Sequence, residues 1–151
     1  MFVPFTDRVR EVMNLAEQEA RRLKLKYVGT EHILLGLCKA QPGVGVTVLR
    51  NLGAEPDKVA SRVESVAPCG KVSVGEQPLT QTPRAEKLIQ HACEEAYDLK
   101  HNYVGTEHLV LGTLRDEESV ASQILMGFGV CLDTARSEVL KVLGHALPPQ
   151  E

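Results

Sequence analysis

The sequence has no tryptophan, and only three tyrosines and three phenylalanines, so any core it builds is aliphatic. It has no G-x-x-x-x-G-K-[ST] loop: Gly70-Lys71 is followed by Val72, and Ser65 stands at the earlier glycine position. Nor has it a G-x-S-x-G elbow. Phosphate-cradling ATPase and hydrolase chemistry therefore have no motif here. The four cysteines, Cys38, Cys69, Cys93 and Cys131, form no C-x-x-C pair. They read as free reduced thiols rather than zinc ligands, with Cys69 the one expected to be exposed. The net charge of −3 offers no basic face for nucleic acid. No apolar run approaches the ~20 residues of a membrane span, and Met1-Phe2-Val3-Pro4-Phe5 lacks the basic and long apolar regions of a secretory signal. A cytoplasmic, non-membrane protein without catalytic motif or cofactor is the expectation.

What is present is a duplication. Tyr27-Val28-Gly29-Thr30-Glu31-His32-Ile33-Leu34-Leu35-Gly36 returns as Tyr103-Val104-Gly105-Thr106-Glu107-His108-Leu109-Val110-Leu111-Gly112, an offset of 103 − 27 = 76 residues. Laying residues 6–66 on 82–142 keeps 22 identities in 61 positions without a gap. Internal repetition is the first property to establish, because it dictates architecture. Two units are too few for an open solenoid, so a closed pair related by a pseudo-two-fold axis is expected.

Thr6 is placed to cap a first helix running to about Lys24, whose Val9, Val12, Met13, Ala16, Ala20 and Leu23 follow the three–four spacing of an amphipathic helix. Thr30 is read as the cap of a second helix to about Ala40, with Gly36 allowing a neighbouring helix to come close. Pro42-Gly43 breaks it, and a third helix from Val44 ends at Gly53. A fourth starts near Pro56 and carries Val59, Val63 and Val66 inward. Thr82-Pro83 restarts the pattern with Ala85, Leu88, Ile89, Ala92, Ala96 and Leu99, followed by helices near 107–115, 119–127 and 133–143. Repeat one is thus about 6–66, a mobile linker 67–81, repeat two about 82–143, and 145–151 a tail. No strand pattern is evident. The fold class is all-α: two tandem four-helix repeats, eight helices, in a single domain over residues 1–144.

These residues resemble the N-terminal repeat domain of Clp/Hsp100 unfoldases, the ClpC type most closely. The resemblance rests on Met1-Phe2 with Phe5-Thr6-Asp7-Arg8, both G-T-E-H-[IL]-x-L-G boxes, Thr82-Pro83-Arg84-Ala85, and Leu52-Gly53 with Phe128-Gly129. It implies a module that receives protein substrates and adaptor proteins for a Clp ATPase ring, and that in the ClpC type binds proteins phosphorylated on arginine. The Glu of each box then holds the phosphoarginine side chain, which places Glu31 and Glu107 as binding residues. Thr6, Arg8, Thr82 and Arg84 are candidates around the phosphate. A carboxylate suits the guanidinium, while a helix N-terminus and an arginine suit the phosphate. The chain departs from the family after each box. Ala40-Gln41-Pro42-Gly43-Val44-Gly45 loses both acids of the usual segment, and Asp116-Glu117-Glu118-Ser119-Val120-Ala121 loses its glycines. Gln81, Glu86 and Pro4 are further departures.

Each sharp reading has a plainer rival. An acid near a helix N-terminus can simply complement the dipole, worth about 0.3–1 kcal/mol. His32 and His108 do not form H-E-x-x-H and read as buried histidines bonded to backbone, with His91, His101 and His145 on the surface. A small-molecule-binding or dimerisation module on the same repeats is the alternative class. The binding reading predicts two sites, each a box with its paired capping helix. The first should be the more altered, because Pro42 and the missing acids lie just beyond its box.

Overall fold

The computed structural model describes residues 3–144. Eight helices form among them: α1 (Asp7–Arg22), α2 (Thr30–Lys39), α3 (Val44–Asn51), α4 (Pro56–Val66), α5 (Pro83–Asp98), α6 (Thr106–Arg115), α7 (Val120–Gly127) and α8 (Leu132–Val142). The Thr6 hydroxyl accepts the Val9 N–H at 3.2 Å and opens α1, and Thr82 accepts the Ala85 N–H at 3.1 Å and opens α5. α3 ends as its sequence suggests, with Gly53 at φ +92° just beyond the last turn, and Gly129 takes φ +88° after α7.

Within each repeat the first two helices cross at a glycine. A Cβ on Gly36 would lie 2.5 Å from the Val12 carbonyl oxygen, and one on Gly112 would lie 2.6 Å from that of Leu88. No side chain fits there, so the backbones of α1 and α2, and of α5 and α6, touch directly. The predicted stripes point into this seam: Val9, Val12, Ala16 and Ala20 are buried in α1, and Ala85, Leu88, Ala92 and Ala96 in α5.

The third helices are exchanged. α3 packs on α6 and α8 of the second repeat, while α7 reaches α2 and α4 of the first and keeps its contact with α6 of its own. The entry segments are exchanged as well. β1 (Tyr27–Val28) pairs in parallel with β2 (Thr80–Gln81), and Phe5 bridges Val104 in the same sense. The capping threonines continue these ladders: Thr82 N–H donates to the Val28 carbonyl and Thr6 N–H to the Val104 carbonyl, both at 3.0 Å. Two residues are too few to show strand alternation, which is why the sequence reveals no strand. One aliphatic core consequently spans both repeats, from Val9 and Leu34 to Leu109 and Val139.

Three expectations need correction. Val66 does not turn inward but is 43% exposed at the end of α4. His101 is not a surface residue; it stacks on Tyr103 and meets His108. His145 lies outside the described residues. The segment 67–81, expected to be mobile, is tied to α1: Gly70 N–H donates to the Leu23 carbonyl at 2.7 Å, Arg21 donates to the carbonyls of Gly75 and Gln77, and Glu17 accepts the Leu79 N–H at 3.3 Å.

A buried carboxylate fastens each repeat internally. Glu95, 1% exposed, is gripped by Arg136 with bonds of 2.9 and 2.8 Å, and Arg115 stands at 3.5 Å. Its counterpart Glu19 meets Lys39 at 2.6 Å and Arg22 at 3.0 Å. Burial alone would raise the Glu19 pKa, but the bonds from Arg22 and Lys39 outweigh it and hold the pKa below the usual carboxylate value.

Candidate functional site

The residues of the repeated box divide the work. His32 Nδ1 accepts the Gly29 N–H, and His108 Nδ1 accepts the Gly105 N–H, each at 2.9 Å. Each histidine thereby caps its own helix from the third position, the place usually taken by Glu or Gln. Both rings are fully buried, and burial depresses both pKa values, that of His108 to about 3 with a contribution from nearby His101. Proton-free Nδ1 leaves the hydrogen on Nε2. His108 passes it to His101 Nδ1 at 2.8 Å, whereas His32 Nε2 is buried without a hydrogen-bond partner, since Leu25 stands where the other repeat has His101.

The threonine acts across the repeats. Thr30 and Thr106 are not N-caps of α2 and α6; Gly29 and Gly105 hold those positions. Instead, Thr106 Oγ1 accepts the Gly45 N–H of α3 at 2.8 Å, and Thr30 Oγ1 accepts the Ala121 N–H of α7 at 3.4 Å. Each box hydroxyl caps the exchanged helix that packs on its repeat. The bond to Gly45 is shorter for a steric reason. A Cβ there would stand 2.8 Å from the Thr106 carbonyl oxygen, and Ala121 carries that Cβ at the equivalent place.

With Gly, Thr and His assigned, the glutamate remains. Each Glu folds back over its box glycine, where any Cβ would collide with the carboxylate. Glu107 is 3% exposed and accepts the Tyr103 hydroxyl at 2.9 Å. Burial, then the bond to Glu107, raises the Tyr103 pKa to about 12. His101 stacks on the Tyr103 ring, 5.4 Å between centroids at 8°, and so steadies the phenol that aims the carboxylate. Glu31 is also buried, but among the described residues it accepts no side-chain hydrogen bond.

Glu107 opens into a groove of about 500 Å³ whose walls include Thr6, Arg8, Pro42, Thr106, Val142 and Leu143. The entry-strand exchange makes this site composite. Thr6 and Arg8, from the first repeat, stand beside the box of the second. Pro42 lines the same groove, so the altered segment 40–45 bears on Glu107 rather than on Glu31. By the same pairing, Thr82 faces the Glu31 box through its bond to Val28. There Arg84 is turned onto Asp116, with contacts of 2.8 and 2.6 Å, and lies 3.4 Å from Glu118. The matching residues Val66, Val120 and Gln123 line a different opening, with Arg62 and Phe128.

Residues 4–128 and 80–150 match the model of the Clp repeat (R) N-terminal domain. The chain belongs to that family. It is 44% identical over 144 residues to "Negative regulator of genetic competence ClpC/MecB" of Bacillus subtilis, covering 95% of this chain and 18% of that protein. It is 47% identical over 153 residues to "Probable ATP-dependent Clp protease ATP-binding subunit" of Chlamydia pneumoniae, covering 99% and 18%. It is 43% identical over 147 residues to "Chaperone protein ClpB" of Oceanobacillus iheyensis, covering 95% and 18%. The Clp repeat domain described here therefore spans under a fifth of these relatives. The solved Hsp104 N-terminal domain of Candida albicans superposes with a TM-score of 0.76 at 18% identity, over 95% of this chain and 93% of that one. The N-domain of ClpV from Vibrio cholerae superposes with 0.79 at 17%, over 94% and 86%. At such identities these two establish the fold.

Of the six residues singled out in the sequence, the Clp repeat domain brings Thr6, Arg8 and Glu107 into one groove and leaves Arg84 engaged elsewhere. Tyr103 was legible as a candidate, since it opens the repeated decapeptide. Val142 and Leu143 carry no signal, because only the approach of α8 brings them there. Among the described residues no single helix is long and apolar enough to cross a membrane.

Proposed function

We propose that this chain is a non-catalytic recognition module that receives protein substrates and adaptors for a Clp-type ATPase ring in the cytoplasm, and that it binds phosphoarginine side chains. The observation that supports this most is the composite groove: a buried carboxylate oriented by a phenol, with an arginine and a helix-capping threonine on the facing wall. A doubly charged phosphate on an arginine presents both signs within one side chain. Glu107 suits the guanidinium, and Arg8 with the N-terminus of α1 suits the phosphate. The apolar wall of Val44, Val142 and Leu143 suits the aliphatic stem or a neighbouring side chain of the ligand.

Titration calorimetry with free phosphoarginine tests the reading. Loss of one charge-assisted bond of ~1.5–3 kcal/mol corresponds to a site about ten- to hundredfold weaker in Glu107→Ala. The variant is expected to stay folded, because loss of the carboxylate and of its bond to Tyr103 costs about 1–3 kcal/mol against a typical stability of about 5–15 kcal/mol. No saturable binding by folded wild type at millimolar phosphoarginine would overturn the phosphoarginine reading and leave protein docking alone.

A further inference from the structure

The two pseudo-equivalent arginines have different neighbours. Among the described residues the Arg8 guanidinium pairs with Glu11 of its own helix, at 3.3 Å, and both side chains are well exposed. Arg84 is drawn onto the loop between α6 and α7, where one of its amino groups touches both oxygens of Asp116 and the other approaches Glu118. The repeat register explains the contrast. Asp116 and Glu118 correspond to Ala40 and Pro42, so the first repeat has no acid at the positions that engage Arg84 in the second. The carboxylates act as Asp and Glu do toward any arginine, occupying the guanidinium face that a phosphate would take. They also add like charge beside any incoming phosphate.

The glutamates differ in the same direction. Glu107 is aimed by Tyr103, which His101 steadies. The Tyr27 ring makes only a tilted contact with His32, 6.1 Å between centroids, and Leu25 replaces the stacking histidine. One half of the molecule thus has an arginine paired with a single exposed acid of its own helix and an oriented carboxylate. The other has an engaged arginine and a carboxylate without a hydrogen-bond partner among the described residues.

We propose that Asp116, supported by Glu118, blocks anion binding at Arg84, so that this chain reads its ligand through the Arg8–Glu107 groove alone. This rests on the phosphoarginine reading above and reverses the simple expectation about the lost acids. Their absence from residues 40–42 leaves Arg8 available, and their presence at 116–118 closes the second site.

The test follows the guanidinium signals of Arg8 and Arg84 by nuclear magnetic resonance in ¹⁵N-arginine-labelled protein. Wild type and the double variant Asp116→Asn with Glu118→Gln are each titrated with inorganic phosphate and with phosphoarginine. Asn keeps an oxygen for the Glu118 N–H, which Asp116 accepts at 3.3 Å. In wild type, phosphate should move the Arg8 signal and leave Arg84 responding about tenfold more weakly, with phosphoarginine binding at one equivalent. In the double variant Arg84 should respond like Arg8, and a second equivalent should appear. Equal responses of the two arginines in wild type, or a silent Arg84 in the double variant, overturns the blocking role. If phosphate separates the arginines as described but no form binds phosphoarginine, the block stands and the phosphoarginine reading fails.

Discussion

Replacing Thr106 by Val removes one hydroxyl at nearly constant shape and tests the exchange of helices directly. The hydroxyl accepts the Gly45 N–H at 2.8 Å, and Gly45 is buried. α3 has no side-chain cap of its own, since Gly43 holds its N-cap position. A buried N–H left without an acceptor costs about 1–3 kcal/mol, and loss of an N-cap about 0.5–2 kcal/mol; these are two descriptions of the same bond and do not add. For a chain of this size each kcal/mol moves Tm by about 2–4 °C, so a loss of about 1–3 kcal/mol in Thr106→Val should lower Tm by roughly 2–12 °C. Thr30→Val is the internal control. Its bond to Ala121 is 3.4 Å long, and α7 retains the Ser119 hydroxyl, which accepts the Ser122 N–H at 3.1 Å. It should cost less than about 1 kcal/mol. Calorimetry supplies Tm, and amide hydrogen exchange supplies the location: the Gly45 amide should exchange faster in Thr106→Val although it lies 61 residues away. Equal losses in the two variants, or an unchanged Gly45 amide, would refute the cross-repeat capping.

Gly112→Ala places a Cβ within 2.6 Å of the Leu88 carbonyl oxygen and 2.7 Å of the Ala92 nitrogen, so it should cost about 1–3 kcal/mol or more in urea denaturation; a neutral result would mean that α5 and α6 part easily. Glu95→Gln leaves Arg136 and Arg115, 40% and 28% exposed, facing a neutral group and should cost about 1–3 kcal/mol, more than Glu19→Gln, because the Glu95 carboxylate is the more deeply buried of the two, at 1% against 8% exposure; the reverse ranking in denaturant midpoints would contradict the buried clamp. His32 and His108 have folded pKa values below that of the unfolded chain, so the folded state is penalised as the unfolded chain takes up protons. Their contribution is fully present above about pH 6.5 and declines as pH falls, by up to about 1.4 kcal/mol per pH unit for each ring. Denaturant midpoints measured between pH 7.5 and 5 should therefore fall toward acid, before ordinary carboxylates titrate, and a flat profile would count against both buried rings.

Much of this molecule is written locally. The duplication, the threonines that open α1 and α5, the apolar stripes from Val9 to Ala20 and from Ala85 to Ala96, and the close approach at Gly36 and Gly112 all follow from neighbours along the chain. Helix capping and three–four periodicity act over a turn or two, so residue types at fixed spacing suffice to specify them. Glu31 and Glu107 could be singled out for the same reason, because the box that carries them is contiguous. The composite character of the groove could not. A duplicated sequence describes each interface twice in the same words, and nothing in it says whether Thr6 meets the box of its own repeat or that of the other. Tertiary packing resolves that degeneracy: the Phe5 and Thr80–Gln81 segments cross to the opposite repeat, and α3 and α7 follow. Once they cross, Thr106 caps a helix of the other repeat and Pro42 lines the groove of Glu107. Asp116 against Arg84 belongs to the same category, since the two lie 32 residues apart and only the packing of α5 on α6 brings the carboxylate within reach of the guanidinium.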